Sequence, residues 1–156
     1  MKAGLLVEKL IRNRQTIALA ESCTGGGIAA VLTAIPGSSQ CFGLGVVSYS
    51  NQAKERLLRV PEAVLRQFGA VSAETAAEMA RGLRNVTGSR LCVSVTGIAG
   101  PDGGTEEKPA GLFYVAVLFD GKLACERFHG RNVSRDANRH FSMLTMMRVI
   151  DKMISA

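Results

Sequence analysis

The residues from Thr16 to Ile35, TIALAESCTGGGIAAVLTAI, pass from an apolar run through three glycines to a second apolar run. The first part, at about 16–21, predicts a buried strand, and IAAVLTAI at 28–35 predicts a helix. Glycines between them allow backbone N–H groups to approach an anion at the helix start, so Thr24, Gly25 and Gly26 are candidate ligand-binding residues. The alternative is a purely structural turn, in which Ser22 or Thr24 caps the helix.

The same alternation of helices and strands continues on both sides of this unit. Further helices are predicted at 4–13, 51–58, 73–86 and about 134–154, and further strands at 44–50 and 91–96. LFYVAVLFDGKLACERF at 112–128 predicts a hairpin that turns at Asp120–Gly121. This order predicts a three-layer α/β fold with a mixed sheet. No repeat or composition shift divides the sequence, so residues 1–156 are expected to form one domain.

Composition narrows the class of protein. The chain has 156 residues, of which 47% are hydrophobic and 21% charged, a balance typical of globular domains. No apolar run approaches the roughly 18 residues of a membrane span, and charges such as Glu8 and Arg12 interrupt any signal-peptide core. The net charge of +6 comes from scattered residues without interleaved aromatics. We therefore expect a cytoplasmic protein without a membrane or nucleic-acid partner.

Cysteines and acidic residues give no pattern typical of a metal site. None of the four cysteines is spaced as CxxC, and we expect all of them to be reduced. Asp102 and the pair Glu106–Glu107 have no further ligand at a diagnostic spacing. The sequence therefore predicts neither a metal nor an organic cofactor.

A second polar segment, from Gly37 to Lys54, contains serines, a tyrosine and a lysine. A serine becomes a nucleophile only when a base accepts its proton. His129 and His140 are both far from the glycine loops in sequence. A lysine with a lowered pKa can replace histidine. Lys54 lies in the first turn of a predicted helix, where the helix dipole disfavours its charged form.

A third segment, TGIAGPDGG at 96–104, follows an apolar strand. Glycine permits positive φ and a close approach of backbone to ligand. Long glycine loops in compact domains are commonly functional. Thr96, Gly97 and Gly100 are therefore candidate substrate-binding residues.

Several of these motifs together resemble the CinA C-terminal domain family. The matching segments are AESCTGG at 20–26, GSS at 37–39, YSNQAK at 49–54, GAVS at 69–72 and TGIAGPDGG at 96–104. The resemblance covers nearly the whole chain and extends to the stand-alone nicotinamide-nucleotide amidases of that family. It implies a three-layer α/β/α sandwich with a mixed, five-stranded sheet. It also implies hydrolysis of nicotinamide mononucleotide to nicotinate mononucleotide and ammonia, without a cofactor.

The resemblance also implies roles for particular residues. The serine that ends the GSS motif, Ser39, is the implied nucleophile, and Tyr49 and Lys54 are the implied acid–base groups. Thr96 is expected to contact substrate or tune Lys54. An arginine before the last helix is implicated as well; Arg131, Arg135 and Arg139 are available, and Arg135 fits the family pattern best.

The sequence leaves several alternatives open. The family includes paralogues without amidase activity, so the chain is alternatively a silent nucleotide-binding or interaction module. A third interpretation is that the chain is an amidase that acts on a different amide. Ser22 and Ser38 are the other candidate nucleophiles. The expected partner is a small nucleotide substrate, and association of the chain with itself is left open. The ADP-ribose pyrophosphatase activity associated with a separate N-terminal domain in many family members is not expected here.

Overall fold

A computed structural model describes residues 3–130 and 134–155 of the chain. The helices are α1 (Ala3–Arg12), α2 (Gly27–Thr33), α3 (Asn51–Leu58), α4 (Glu62–Phe68), α5 (Ala73–Thr87) and α6 (Arg135–Ser155), with a short 3₁₀ turn at Ser38–Gln40. The strands are β1 (Ile17–Glu21), β2 (Phe42–Val47), β3 (Leu91–Gly97), β4 (Leu112–Phe119) and β5 (Lys122–His129). No described helix is long and apolar enough to cross a membrane.

The five strands form one mixed sheet in the order β2-β1-β3-β4-β5. β1 pairs in parallel with both β2 and β3, whereas β4 is antiparallel to β3 and to β5. The β4–β5 hairpin turns at Asp120–Gly121, where both residues have positive φ, as a tight two-residue turn requires. The predicted α/β/α sandwich with a mixed, five-stranded sheet is confirmed.

Two apolar layers hold the helices on the sheet. Side chains on one face of β1, β3 and β4 pack against α1, α2 and α6. Side chains on the other face of the sheet pack against α3, α4 and α5. Gly82 of α5 is essential to the second layer, because a Cβ there would lie 1.9 Å from the carbonyl oxygen of Leu58. The close approach of α5 to the end of α3, at Leu58, holds α3 in place on the sheet.

β2 differs from its sequence prediction of 44–50. The strand begins at Phe42, opposite Ile17, and ends at Val47, opposite Glu21. Ser50 then leaves the sheet and caps α3, its Oγ accepting a hydrogen bond from the N–H of Ala53 at 3.0 Å. The cap sets the first turn of α3 at the end of β2.

The parallel pairing brings three chain segments to one edge of the sheet. β1, β2 and β3 all end there, and the residues that follow each strand become neighbours. In open α/β sheets this carboxyl edge is where ligands bind. α6 also begins at this edge, because β5 pairs with the start of β4 through His129 and Leu112.

Candidate active site

A pocket of about 210 Å³ opens at the carboxyl edge of the sheet. It is built from the turn after β1, the segment between β2 and α3, the loop after β3, the turn before α5 and the start of α6. The lining residues are Ser22, Cys23, Tyr49, Lys54, Ala70, Val71, Thr96, Gly97, Ile98, Ala99, Gly100, Asp102 and Arg135. All three segments singled out in the sequence therefore contribute residues to one cavity.

Lys54 is a buried lysine at the base of this pocket. Its side chain is 1% exposed, although lysine is almost never fully buried unless it is paired. The amine donates hydrogen bonds to the carbonyl oxygen of Ser48 at 2.7 Å and to Oγ of Ser22 at 3.1 Å. Neither partner is a carboxylate, so no opposite charge stabilises the ammonium form at this contact.

The environment of Lys54 favours a neutral amine. Burial removes water from the ammonium group and thereby lowers the pKa of Lys54 below its ordinary value. A neutral amine has a lone pair that can accept a proton, which a solvated lysine lacks at neutral pH. The geometry and the pKa direction both suit a general base directed at Ser22.

Cys23 lies next to Ser22 but is unsuited to nucleophilic attack. Burial raises the pKa of its thiol to about 12. The thiolate is the reactive form of cysteine, and a thiol with so high a pKa remains protonated at neutral pH. The serine hydroxyl is therefore the nucleophile candidate in this turn.

The turn that carries Ser22 is held by Glu21, a buried carboxylate at the end of β1. Its two oxygens accept hydrogen bonds from the N–H groups of Ile28 at 3.1 Å and Ala29 at 2.8 Å. These groups belong to the first turn of α2, which the carboxylate also favours through the helix dipole. Glu21 thus accepts the hydrogen bonds of the two N–H groups that an anionic ligand would need at the start of α2.

This arrangement corrects the substrate-binding role expected for Thr24, Gly25 and Gly26. None of the three lines the pocket. Thr24 is buried, and its carbonyl accepts a hydrogen bond from Arg139 Nη2 at 2.9 Å. Gly25 and Gly26 both have positive φ, so they serve the tight turn between β1 and α2. The segment is thus a tight structural turn, but the alternative was wrong about the cap, because the N-cap of α2 is Gly26 and neither Ser22 nor Thr24 caps the helix.

We expect Glu21→Gln to destabilise the protein. An amide in place of the carboxylate directs an N–H₂ group at one backbone N–H, which leaves a buried donor unsatisfied. The free energy of unfolding should fall by about 1–3 kcal/mol, measured by urea denaturation. Glu74→Gln is the matched control, because Glu74 is an exposed carboxylate in the first turn of α5. An equal loss in both variants would contradict the role given to Glu21.

Tyr49 and Arg135 form the outer rim of the pocket. Arg135 donates one hydrogen bond to the hydroxyl oxygen of Tyr49 at 2.7 Å and another to the carbonyl oxygen of Gly100 at 3.0 Å. The tyrosine side chain is 59% exposed. The guanidinium therefore joins the start of α6 to the loops after β2 and β3, next to solvent.

Thr96 and Gly97 shape the wall of the pocket at the end of β3. The hydroxyl of Thr96 donates to the carbonyl oxygen of Ala70 at 2.6 Å, so it holds the turn before α5. Its proton points at Ala70 and not at Lys54, which differs from the tuning role expected from the sequence. A Cβ at Gly97 would lie 2.4 Å from Cβ of Phe113, so only glycine fits.

Ser39 does not lie in this pocket. It belongs to the exposed 3₁₀ turn before β2, at the amino edge of the sheet, whereas Lys54 follows the carboxyl end of β2. The length of β2 separates the two edges by about 20 Å. The expectation that Ser39 pairs with Lys54 in one chain is therefore corrected, because the serine within reach of the amine is Ser22.

Of the candidate arginines that the structure describes, Arg135 lines the pocket and Arg139 does not. Arg139 donates a hydrogen bond to the carbonyl oxygen of Thr24, in the turn that carries Ser22. Arg131 lies outside the described residues. His140 lines an apolar groove between α2 and α6 instead. Among residues 3–130 and 134–155, no group of three or more His, Cys, Asp or Glu side chains is placed to hold a metal ion.

Some positioning residues gave no usable sequence signal. Asn138 is buried in α6, and its Nδ2 donates to the carbonyl oxygen of Ala99 at 3.0 Å, which fixes the loop after β3. Ser48 offers only a backbone carbonyl to Lys54. A sequence pattern does not reveal a backbone acceptor, and an asparagine in a helix gives no indication of a loop far away in the chain.

The fold and the site together define a class of protein: an α/β/α domain with a buried serine–lysine pair at the ends of parallel strands. The model of one known family, the CinA C-terminal domain, matches residues 2–154. The chain belongs to this family.

Curated relatives agree with this assignment. The chain is 53% identical over 132 residues to a CinA-like protein of Citrifermentans bemidjiense, a match that covers 85% of this chain and 32% of the relative. It is 45% identical over 151 residues to a CinA-like protein of Parasynechococcus marenigrum, covering 97% and 36% respectively. The chain thus spans about a third of the length of these relatives.

Solved structures share the whole fold. The competence damage-inducible protein A (ComA) of Klebsiella pneumoniae superposes with a TM-score of 0.94 at 28% identity, covering 98% of this chain and 94% of that chain. The competence/damage inducible protein CihA of Agrobacterium tumefaciens superposes with a TM-score of 0.90 at 36% identity, covering 97% and 95%.

Proposed function

We propose that this chain is an amidohydrolase that uses Ser22 as nucleophile and Lys54 as general base. The observation that supports this proposal is the buried amine of Lys54, 3.1 Å from Oγ of Ser22 and without a carboxylate hydrogen-bond partner. Burying an amine that has no carboxylate partner costs free energy of folding, so this lysine does not stabilise the fold. Its role is instead chemical, because a neutral amine at this position can accept the proton of the serine hydroxyl and return it.

In the first half of the reaction, Oγ of Ser22 attacks the carboxamide carbon while its proton moves to Nζ of Lys54. The backbone N–H of Cys23, directly after the nucleophile, is the donor that we assign to the oxyanion. The tetrahedral intermediate then breaks its C–N bond. Lys54 gives the proton to the leaving nitrogen, so ammonia departs and an ester of Ser22 remains.

In the second half, a water molecule attacks the ester carbon and gives a proton to Lys54. The C–O bond to Ser22 breaks, and the proton returns from Lys54 to Oγ. The products are the carboxylic acid and a free serine. The Arg135–Tyr49 contact closes the rim over the reacting groups without taking part in the proton transfers.

We propose nicotinamide mononucleotide as the substrate. Its carboxamide would lie against Ser22, and its phosphate would lie at the rim beside Arg135. A pocket of about 210 Å³ is smaller than the clefts that enclose a whole nucleotide-sized ligand. It suits the pyridine carboxamide, with the ribose phosphate extending to the open side, where a cation lies. The resemblance to nicotinamide-nucleotide amidases supports the same substrate.

The test is to incubate the purified chain with nicotinamide mononucleotide and to measure ammonia and nicotinate mononucleotide together. We expect both products in equal amounts. The Ser22→Ala variant, prepared in parallel, controls for a contaminating amidase. If the wild-type chain releases neither product, the amidase proposal fails and a silent nucleotide-binding or interaction module replaces it. Release of ammonia only from other amides in a substrate panel would reject this substrate.

We expect Arg135→Ala to lower kcat/KM for nicotinamide mononucleotide by about 10- to 150-fold, the value of one charge-assisted hydrogen bond. The phosphate takes no part in the chemistry, but its binding positions the carboxamide against Ser22. Nicotinamide riboside lacks the phosphate, so its poorer turnover should change little. The measurement is kcat/KM for both substrates in wild type and variant.

The control for Arg135 is Arg56→Ala, which removes an exposed arginine from α3. It should leave both substrates unaffected. Equal losses on both substrates in Arg135→Ala would contradict a phosphate role. They would show instead that the bonds from Arg135 to Tyr49 and Gly100 support the site as a whole.

A further inference from the structure

Asp102 is the acidic side chain of the pocket, and the proposed reaction does not use it. The lining residues of a charged type are Lys54, Asp102 and Arg135. The environment of Lys54 favours the neutral amine, so the charges that remain are one carboxylate and one guanidinium. Both belong to exposed residues, which places them at the open side of the pocket. A ligand that enters therefore meets one negative and one positive charge.

These two charges do not neutralise each other. Arg135 directs its terminal nitrogens at the hydroxyl oxygen of Tyr49 and at the carbonyl oxygen of Gly100. Within residues 3–130 and 134–155, the side chain of Asp102 takes part in no hydrogen bond and in no ion pair. Both charges are thus available to a ligand that carries two charges of its own.

The backbone on either side of Asp102 is held by other groups. Before it, the carbonyl oxygen of Gly100 accepts the hydrogen bond from Arg135 at 3.0 Å. After it, Gly104 packs closely on the far end of the loop, where a Cβ at Gly104 would lie 2.5 Å from the backbone nitrogen of Ala110. Neither contact uses the carboxylate of Asp102. We therefore assign this side chain no part in holding the loop.

The remainder of the rim is unfavourable to a cation. The chain carries a net charge of +6, and Arg135 opens α6, where the positive end of the helix dipole lies. This environment suits a phosphate but repels a positively charged ring. In nicotinamide mononucleotide the N-glycosidic bond places a positive charge on the ring nitrogen, so the molecule is a zwitterion. An acidic side chain in the same pocket offsets that repulsion.

We propose that Asp102 is the counter-ion of a cationic ring in the substrate, so that the pocket selects zwitterions, with Arg135 at the phosphate and Asp102 at the ring. The identity of the ligand rests on the proposed function. The carboxylate attracts the ring by charge alone, because a ring nitrogen that carries a ribose has no hydrogen to donate. The preferred substrates are therefore N-substituted pyridinium carboxamides, and neutral aromatic amides of the same shape bind less tightly.

The test compares two ligands that differ in the charge of the ring. Nicotinamide mononucleotide has a cationic ring, whereas benzamide riboside monophosphate has the same carboxamide, ribose and phosphate on a neutral ring. Kd is measured by calorimetry in the Ser22→Ala background, so that both ligands stay intact. Asp102→Asn should raise Kd for nicotinamide mononucleotide by about two- to fivefold, the value of one charge pair at an exposed site. Kd for the neutral analogue should stay unchanged.

Asp102→Lys should enlarge the effect. Nicotinamide riboside is the ligand for this variant, because it has the cationic ring but no phosphate that the new lysine would attract. Reversal of the charge doubles the change in Coulomb energy, so Kd should rise by about four- to 25-fold, the square of the effect of Asp102→Asn. In about 1 M salt, where charges are screened within about 3 Å, both losses should shrink.

The matched control is Glu106→Gln, which makes the same change of charge in the same loop. Glu106 is exposed and does not line the pocket, so Kd for every ligand should stay unchanged. An equal loss in Glu106→Gln would show a general effect of net charge and would overturn the role of Asp102. Equal losses on charged and neutral rings in Asp102→Asn, or no loss at all, would overturn it too.

Failure of the proposed function gives a different result. The ligands would then bind with the expected dependence on Asp102, while the wild-type chain released no ammonia from nicotinamide mononucleotide. In that case the pocket recognises zwitterions without hydrolysing them. If the wild-type chain binds none of the three ligands, the role of Asp102 and the proposed substrate are both rejected.

Discussion

Replacement of Ser22 by alanine is expected to reduce turnover of nicotinamide mononucleotide by at least about 10³-fold, because removal of the nucleophile abolishes the acyl-enzyme route. The substitution deletes one oxygen in a buried turn that Glu21 holds independently. The fold should therefore persist, and substrate binding should change little. The measurement is kcat in single-turnover assays, with thermal unfolding to verify the fold.

Ser39→Ala, assayed in parallel, distinguishes the two serines. It should keep turnover close to that of the wild type, because Ser39 precedes β2 and lies at the opposite edge of the sheet from the pocket. Full loss of turnover in Ser39→Ala together with near-normal turnover in Ser22→Ala would reject Ser22 as nucleophile. That result would require Ser39 to act on the pocket of another copy, since β2 separates it from Lys54 within one chain.

Lys54→Met is expected to lower kcat by about 10²- to 10⁴-fold, the usual contribution of a general base. Methionine fills most of the lysine volume and requires no charge at this buried position. In the wild-type enzyme, activity depends on the neutral amine, so kcat/KM should rise with pH. Its apparent pKa should lie below the roughly 10.4 of a free lysine, because burial lowers the pKa of Lys54. The residual activity of the variant should lack that rise.

The matched control for Lys54 is Lys122→Met, at an exposed position of β5. It should preserve both the rate and the pH profile. Lys54→Arg offers a second comparison, because arginine keeps its proton at any assay pH and cannot accept another. If Lys54→Arg has wild-type activity, Lys54 has no role in proton transfer.

Local patterns determined the fold class. The strand–glycine–helix unit at 16–35 and the hairpin at Asp120–Gly121 each rest on interactions between neighbours in sequence, which periodicity and turn chemistry record. The ends of β2, in contrast, depend on contacts between segments that are distant in sequence. β2 starts two residues earlier and ends three residues earlier than predicted, because its pairing with β1 and the Ser50 cap set its limits.

The residues of the candidate site likewise fall into those that local patterns indicate and those that only strand pairing brings together. A residue's type and its place in a helix or turn are local properties, so sequence patterns indicated Lys54 as a base candidate and the glycine loop at 96–104 as a ligand loop. Which serine meets the amine depends on how the strands pair, and sequence patterns do not show that pairing. Ser39 is close to Lys54 in sequence but lies across the full length of β2. Ser22 is 32 residues away but follows the adjacent parallel strand, so its hydroxyl lies 3.1 Å from the amine.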